Sequence, residues 1–424
     1  MKSHKTSGMP FRPPIPNPLM QSVLLALLPV FFRFNLGKLS MSVDAESLNR
    51  LKAVKGQRCL LLPNHPSEWD SWILAALGKQ LDERFYYVAA REVFDYNWGI
   101  RGWLFQKMGV YSLVRGASDK DSFRTTKDIL GNNRGRLVIF VEGEISNQND
   151  SLLPLEPGVL QLAFLSLQDC YKACGKDLAQ LPSLYVCPLA IKYVYHPIGL
   201  GHTIEQSLQA LEKAVGLQPV GTLHYERIRS IGFTVLQNSA RQFGYPLPEG
   251  APLGEQILGL QNFMLTKLEQ VVNLPYDAAM SYLDRVRRIR NTVDRVIRDV
   301  PEILSPYQES LHDHTKAVLE NFYLDLDRIV NFIAIYDGYM HPEMLSERMV
   351  EVIRRLEKEV FGAYQLVHPR TAVVQALQPI DLKDHFAAFL QDKKQVAESL
   401  IHDIETRMYQ AITTARLPEQ LPVG

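Results

Sequence analysis

Residues 59–70 read CLLLPNHPSEWD, and this stretch decides how the rest of the chain is interpreted. Residues 59–62 form a short apolar run, which predicts a buried strand, and the apolar residues from Ser71 onward predict a helix. His65 therefore lies at a strand-to-helix turn, and Asp70 lies near the start of the helix. A carboxylate that binds one imidazole nitrogen fixes the tautomer and makes the other nitrogen more basic. His65 is thus a candidate general base with Asp70 as its orienting partner, although a helix-capping Asp beside an ordinary turn His would give the same pattern.

Three later stretches repeat the order of a known set of motifs. They read GVYSLVRG at residues 109–116, FVEGEIS at residues 140–146 and VCPLAI at residues 186–191. Together with Asn64-His65-x4-Asp70, an NHx4D motif, they stand in the order and approximate spacing of the four sequence blocks of the glycerolipid acyltransferases. The chain resembles this family, which includes the lysophosphatidate and glycerol-3-phosphate acyltransferases, over roughly residues 40–240.

The resemblance implies a reaction and a set of site residues. The reaction is transfer of a fatty acyl group to a hydroxyl from acyl-CoA or acyl-carrier protein, which act as donor substrates, with no cofactor and no metal. His65 and Asp70 would form the catalytic pair. Arg115, Glu142 and Gly143 match the family positions that contact the acceptor, often through its phosphate. A guanidinium suits a phosphate because it can donate two parallel hydrogen bonds, but Arg115 could equally form a structural ion pair.

The third block departs from the family pattern. Lysophosphatidate acyltransferases commonly read Phe-Pro-Glu-Gly-Thr-Arg-Ser there, whereas this chain has Glu144 and Ile145 at the Thr and Arg positions. Glu156 adds an acid near where those enzymes often carry a base. Because an extra negative charge is unfavourable beside a phosphate, we expect a weakened phosphate site, unless Arg115 holds the phosphate with help from Lys192.

Three functions fit these motifs. The leading one is acylation of a lysophospholipid or a glycerol-phosphate in phospholipid biosynthesis or remodelling. Glu144 and Ile145 suggest an alternative, acylation of a non-phosphate lipid. The third is a non-catalytic, membrane-bound interaction protein. We favour an enzyme, because an interaction protein has no chemical need for the His65/Asp70 pair.

The composition narrows the partners and the compartment. The 424 residues include 46 Lys and Arg and 46 Asp and Glu, so the formal net charge is zero. Nucleic-acid binding needs a basic surface, and nothing here suggests one. The chain has only 4 cysteines, without the pattern of a zinc site, which favours a reducing, cytoplasmic setting.

The N-terminus predicts attachment to a membrane surface. Residues 1–18 are rich in proline and predict an extended leader. Residues 19–34 are apolar but are broken by Pro29 and fall short of the roughly 20 residues that a spanning helix needs. We expect a helix in the membrane interface with Arg33 and Lys38 toward the headgroups, hence a peripheral membrane protein on the cytoplasmic side. The alternative is a helix packed on its own domain.

Residues 41–248 alternate strand and helix patterns, which predicts an α/β layered domain with a mainly parallel sheet. The helix patterns include residues 122–130 and 159–173. His65 and Glu142 both directly follow predicted strands, so they can meet at one edge of the sheet. The strand patterns cover residues 59–62, 86–90, 110–114, 136–141 and 184–191.

Proline and glycine near residue 250 mark a boundary, and no strand pattern is evident beyond it. Apolar residues at steps of three and four run from Val286 to Val300 and from Leu319 to Tyr336. We expect an all-helical domain over residues 249–424, either a self-contained bundle or a surface for a protein partner or for self-association. The predicted boundaries are thus 1–40, 41–248 and 249–424.

Overall fold

The computed structural model describes residues 11–34, 38–94, 99–114, 119–132, 135–219, 221, 223–298, 305–332 and 346–416. Its strands are β1 Leu39–Val43, β2 Arg58–Pro63, β3 Phe85–Ala90, β4 Val110–Leu113, β5 Arg136–Val138, β6 Leu184–Tyr195, β7 Arg370–Ala376 and β8 Ile380–Asp381. The helices of the first half are α1 Pro18–Phe34, α2 Ala45–Ala53, α3 Asp70–Leu81, α4 Ile100–Lys107, α5 Lys120–Gly131 and α6 Gly158–Ala173. Those of the second half are α7 Leu200–Val215, α8 His224–Phe243, α9 Leu253–Val271, α10 Tyr282–Arg298, α11 Pro306–Phe332, α12 Ser346–Phe361, α13 Leu382–Gln391 and α14 Lys393–Thr414.

Within the described residues the chain forms two compact units. The sheet unit contains Phe11–Leu113, Asp119–His196 and the C-terminal residues from His368, and the helical unit contains Pro197–Val367. The sheet unit holds every strand of the described residues, and the helical unit holds α7 to α12. Each unit therefore has its own secondary-structure class.

The sheet has the strand order β1-β7-β6-β2-β5-β3-β4, with β8 beside β6. Neighbouring strands are parallel with two exceptions: β6 runs antiparallel to β7 and to β8. The prediction of an α/β fold with a mainly parallel sheet is thus confirmed. In β2, Leu60 and Leu62 contribute to the core on one face of the sheet, and Cys59 and Leu61 to the core on the other. A strand buried on both faces reads as a continuous apolar run, which explains why residues 59–62 give so clear a signal.

The C-terminal region corrects one expectation. It is mostly helical, but β7 and β8 lie within it and join the sheet against β6. Phe386 of α13 and Ile404 of α14 are buried in the same core as Leu60. The expected absence of strands beyond residue 250 is therefore wrong, because the apolar run of β7 is short and stands between much longer helical patterns.

The unit boundaries also differ from those expected at residues 40, 248 and 249. The helical unit begins at Pro197 and ends at Val367, and the sheet unit includes α1. The reason is that a sheet strand can be contributed by any part of the chain, so sequence order does not separate the two units. A role for the C-terminal helices in partner binding or self-association stays a prediction.

The helical unit is built on the predicted apolar repeats. Helix α7 packs on α8 and α12, and α9 packs on α10 and α11. Burial follows the repeats at Val286, Ile289 and Val293 in α10 and at Leu319, Phe322, Leu326 and Ile329 in α11. The repeats also include Val300, Ile333 and Tyr336, which lie outside the described residues.

Helix α1 has two apolar faces. Leu28 and Phe32 are buried in the core of the sheet unit, so the alternative of a helix packed on its own domain holds for one face. The opposite face carries an exposed apolar stripe of Leu19, Val23, Leu27 and Val30. Across the part of the chain that the structure describes, no helix combines the length and apolar character that crossing a bilayer requires.

Candidate active site

The turn after β2 is fixed by Asn64, whose side chain continues the sheet where the strand ends. The side-chain amide donates to the carbonyl of Ile191 at 3.0 Å and accepts from the amide of Ile191 at 2.7 Å. Asn64 is fully buried, and its backbone amide donates to the carbonyl of Leu189. These bonds attach the end of β2 to β6, so the next residue, His65, leaves the sheet at a defined point.

His65 and Asp70 form the expected pair. The imidazole Nδ1 lies 2.8 Å from Oδ2 of Asp70, whose side chain is 0% exposed, while the His65 side chain is 16% exposed. A carboxylate oxygen only accepts, so Nδ1 carries the proton and Nε2 is left as the basic nitrogen. Within the described residues, Nδ1 is the only ring nitrogen of His65 with a hydrogen-bond partner. This arrangement suits a general base, because it leaves Nε2 without a proton and able to accept one.

The Asp70 carboxylate accepts from two further donors. The backbone amide of Ser67 donates to Oδ2 at 2.8 Å, and the hydroxyl of Tyr193 in β6 donates to Oδ1 at 2.6 Å. A buried carboxylate is stable only when its lone pairs are satisfied, and these donors supply that. Asp70 therefore has one orientation, with Oδ2 toward the imidazole.

The third sequence block surrounds His65. Its ring stacks on Phe140 with centroids 3.8 Å apart and planes 13° from parallel. Its backbone carbonyl accepts from the amide of Ser146 at 2.8 Å. Its backbone amide donates to Oε1 of Glu142 at 2.5 Å. His65 and Glu142 thus meet at one edge of the sheet, as expected. The third block contacts both the main chain and the ring of His65.

Glu142 has an enclosed carboxylate. It is 1% exposed, and its second oxygen accepts from the amide of Leu153 at 2.7 Å. Burial raises the pKa of Glu142 to about 7, against the effect of the two amide donors and with a smaller raising contribution from Asp70. Both oxygens accept from main-chain amides, so Glu142 joins the His65 turn to the loop at Leu153. The role in acceptor binding that the resemblance implied stays a prediction.

The other expected acceptor contacts are placed as follows. Gly143 closes a turn by donating to the carbonyl of Phe140 and has φ +70°, a conformation that glycine adopts without strain. Arg115 lies outside the described residues. Lys192 is buried in β6, and Glu144 is half-buried. Among the described residues, no three His, Cys, Asp or Glu side chains come together as a metal site would require.

Three side chains of the site were not assigned a role from sequence: Asn64, Phe140 and Tyr193. A polar residue directly after a buried strand, such as Asn64, is a signal for a side chain that completes the sheet. A tyrosine in a buried strand needs a partner for its hydroxyl, which singles out Tyr193. Phe140 gave no comparable signal, because an aromatic residue at a strand end is most often core.

Comparison with known proteins agrees with this geometry. Residues 43–192 match the family described as Acyltransferase, a span that contains His65, Asp70, Phe140 and Glu142. The comparison with curated proteins gives no match. Residues 43–192 are therefore an acyltransferase domain, the chain is an acyltransferase enzyme, and the match supports the resemblance of this domain to the glycerolipid acyltransferases.

Proposed function

We propose that the enzyme transfers a fatty acyl group from an acyl thioester to a hydroxyl of a lysophospholipid or glycerol-phosphate, in phospholipid biosynthesis or remodelling. The donor is acyl-CoA or acyl-carrier protein. One observation supports the mechanism above all. Asp70 is fully buried and bound to Nδ1 of His65, which leaves Nε2 as the base.

The steps follow from this pair. Nε2 of His65 takes the proton of the acceptor hydroxyl while the hydroxyl oxygen attacks the thioester carbon. The resulting oxyanion needs positioned donors, and the His65 amide is not one of them, because it donates to Glu142. The carbon–sulfur bond then breaks, and the leaving thiolate takes the proton from the imidazolium, giving the ester and a free thiol. Protein nucleophiles are not required at any step.

The third block favours a second candidate acceptor. Glu144 and Ile145 occupy the positions where lysophosphatidate acyltransferases commonly have Thr and Arg. A carboxylate near the acceptor disfavours a phosphate, so a lysolipid without a free phosphate is the alternative substrate. The two candidates share the His65/Asp70 chemistry and differ only in the acceptor.

The decisive experiment is acyl transfer by the purified enzyme from a labelled acyl thioester. Acyl-CoA and acyl-carrier protein would each be offered with lysophosphatidate, glycerol-3-phosphate and neutral lysolipids. We expect transfer that His65→Ala lowers by about 10²–10⁴-fold. His402→Ala is the matched control, since that histidine is exposed on α14, and it should leave turnover unchanged. Transfer only to neutral lysolipids would show that the acceptor carries no free phosphate. If no acceptor shows His65-dependent transfer with either donor, the proposal is rejected.

Membrane association is part of the proposal. The exposed stripe of α1 is apolar along its length, and an apolar helix face of this kind can lie in a bilayer interface. Arg33 in the last turn of α1 and Lys38 just before β1 are both exposed, and basic groups near an apolar helix face can contact lipid headgroups. We place the enzyme on the cytoplasmic side, where acyl thioesters are made, in keeping with its free cysteines.

Co-sedimentation with vesicles of phosphatidylglycerol and phosphatidylethanolamine tests this surface. Leu27→Asp puts a charge into the stripe at a residue that is 54% exposed, and Leu258→Asp puts one on α9 at a residue that is 55% exposed. Burying a charge in the interface is unfavourable, so we expect Leu27→Asp to lower the bound fraction and Leu258→Asp to leave it unchanged. Equal binding of the two variants would argue against α1 as the contact.

A further inference from the structure

Tyr193 reaches the catalytic pair from outside the region that matches the family. The match ends at residue 192, and Tyr193 is the next residue of β6. Its side chain is buried, and its hydroxyl lies 2.6 Å from Oδ1 of Asp70. The other oxygen of Asp70 is occupied by His65 Nδ1 and the Ser67 amide. Tyr193 is therefore the contact that fills the side of the carboxylate away from the imidazole.

The direction of this hydrogen bond is fixed by chemistry. An ionised carboxylate has no proton to donate, so the phenol must be the donor. Burial, and next the negative charge of Asp70, raise the pKa of Tyr193 well above its ordinary value. The phenol consequently keeps its proton over the whole range in which an acyltransferase can be assayed.

The ring of Tyr193 is held by other parts of the sheet unit. Its backbone amide donates to Oδ1 of Asn149 at 2.8 Å. The guanidinium of Arg370 in β7 lies 4.8 Å from the ring centroid, within range of a cation–π contact. The backbone of Tyr193 is thus fixed by Asn149, and its ring packs beside Arg370 of β7.

We propose that Tyr193 is a positioning residue, which holds the Asp70 carboxylate in the rotamer that keeps His65 in its Nδ1-protonated form. This inference rests on the proposed role of His65 as general base. Without the phenol, Oδ1 of Asp70 loses its donor. The carboxylate can then rotate about its last bond, which weakens its contact with Nδ1 of His65.

The test is Tyr193→Phe, assayed with labelled acyl-CoA and the acceptor that the wild type accepts. We expect kcat to fall about 10-fold with KM changed less than twofold, because Tyr193 is buried and acts through Asp70. We also expect the acidic limb of the kcat/KM profile to move to lower pH, because a carboxylate that has rotated away stabilises the protonated imidazole less. Tyr195→Phe is the matched control: it lies two residues further along β6, is also buried, and bonds Arg370 at 3.3 Å instead of Asp70. It should leave kcat and the pH profile unchanged.

Two further measurements separate this role from a structural one. In a His65→Ala background, Tyr193→Phe should cause no additional loss of the residual transfer, because its effect passes through His65. Nitrogen-15 NMR of histidine-labelled protein should show the Nδ1-protonated tautomer of His65 in the wild type and a mixture of tautomers in Tyr193→Phe. An unchanged kcat and pH profile, or an unchanged tautomer, would overturn the role of Tyr193. If the wild type shows no His65-dependent transfer, the proposed function fails, and the NMR measurement still decides the role of Tyr193.

Discussion

In the helical unit Arg227 meets Glu212 through two hydrogen bonds of 2.7 and 2.8 Å, whereas in the sheet unit Asp70 accepts from a histidine, a turn amide and a tyrosine. Both arrangements bury a carboxylate. The Arg227 pair compensates its charge with an equal charge of opposite sign. Asp70 faces no full positive charge among the three donors as long as His65 is neutral.

The difference distinguishes a carboxylate with surroundings suited to proton transfer from one in a structural ion pair. Arg227 satisfies Glu212 with two hydrogen bonds and donates a third to Glu205, so its guanidinium is engaged in structural ion pairs. The Asp70 cluster reaches a compensated state only when His65 takes up a proton, which is the state that a general base passes through during the reaction. The buried carboxylate of Asp70 therefore has the surroundings that the proposed proton transfer needs, whereas that of Glu212 has the surroundings of a structural ion pair.

Asp70→Asn is the change with the largest expected effect on this contrast. The amide removes the negative charge and places an NH2 group where one carboxylate oxygen accepted a hydrogen bond. The imidazolium that forms during the reaction would then lose its counter-charge, and we expect kcat to fall by about 10²–10⁴-fold. Asp403→Asn, on the exposed face of α14, provides the control, and circular dichroism checks that both variants fold. A loss of less than threefold would mean that Asp70 does not orient the base.

Arg227→Met tests the other side of the comparison. It leaves the carboxylate of Glu212 buried and uncompensated, and breaking such a pair lowers the free energy of unfolding by about 3–5 kcal/mol. Turnover per folded molecule should stay within twofold, because Arg227 holds no part of the catalytic turn. Urea unfolding and the acyl-transfer assay measure the two quantities.

The matched variant for Arg227 also removes its partner. With Glu212→Leu added, the buried charge is gone and an apolar contact replaces it, so most of the lost stability should return. If the double variant is no more stable than Arg227→Met, the pair contributes through packing and not through charge, and the contrast with Asp70 would need another explanation.

Much of the sheet unit could be predicted because its signals are local. The apolar run before His65 marks β2, and the spacing of His65 and Asp70 marks the pair, since both depend on neighbours in sequence. The contact between Tyr193 and Asp70 joins residues 123 positions apart, and no local pattern encodes it. The same holds for β7, whose place beside β6 depends on the chain returning to the sheet after the helical unit.

Glu142 also shows that contacts between residues far apart in the chain cannot be predicted from local sequence. The motif places it beside His65, and that proximity was predicted correctly. Which groups its oxygens bind depends on where the backbone of Leu153 passes, and this is decided by tertiary structure. Sequence could therefore locate the residue without revealing that its carboxylate is enclosed.

The smallest of the expected effects is the contribution of the enclosed Glu142 carboxylate to the free energy of unfolding, which depends on pH. Its pKa of about 7 in the folded enzyme lies above the ordinary value of 4.5, so between these values the folded chain binds more protons than the unfolded chain. The free energy of unfolding therefore falls as pH rises through this window, by about 3 kcal/mol at most for a shift of this size.

Glu142→Gln cannot titrate, so it isolates this contribution. We expect the variant to be less stable than the wild type at pH 5, because its side-chain amide group faces a main-chain N–H where an acceptor is needed. The difference in the free energy of unfolding between the two proteins should narrow as the pH rises from 5 to 7. Urea unfolding at intervals of half a pH unit measures this gap. Glu398→Gln on the exposed surface of α14 should show a constant gap over the same range. A constant gap for Glu142→Gln as well would mean that the carboxylate is ionised throughout, held by its two amide donors alone. In that case the sheet unit would keep two charged carboxylates beside His65 at neutral pH, and the base would work in a more negative site than we infer.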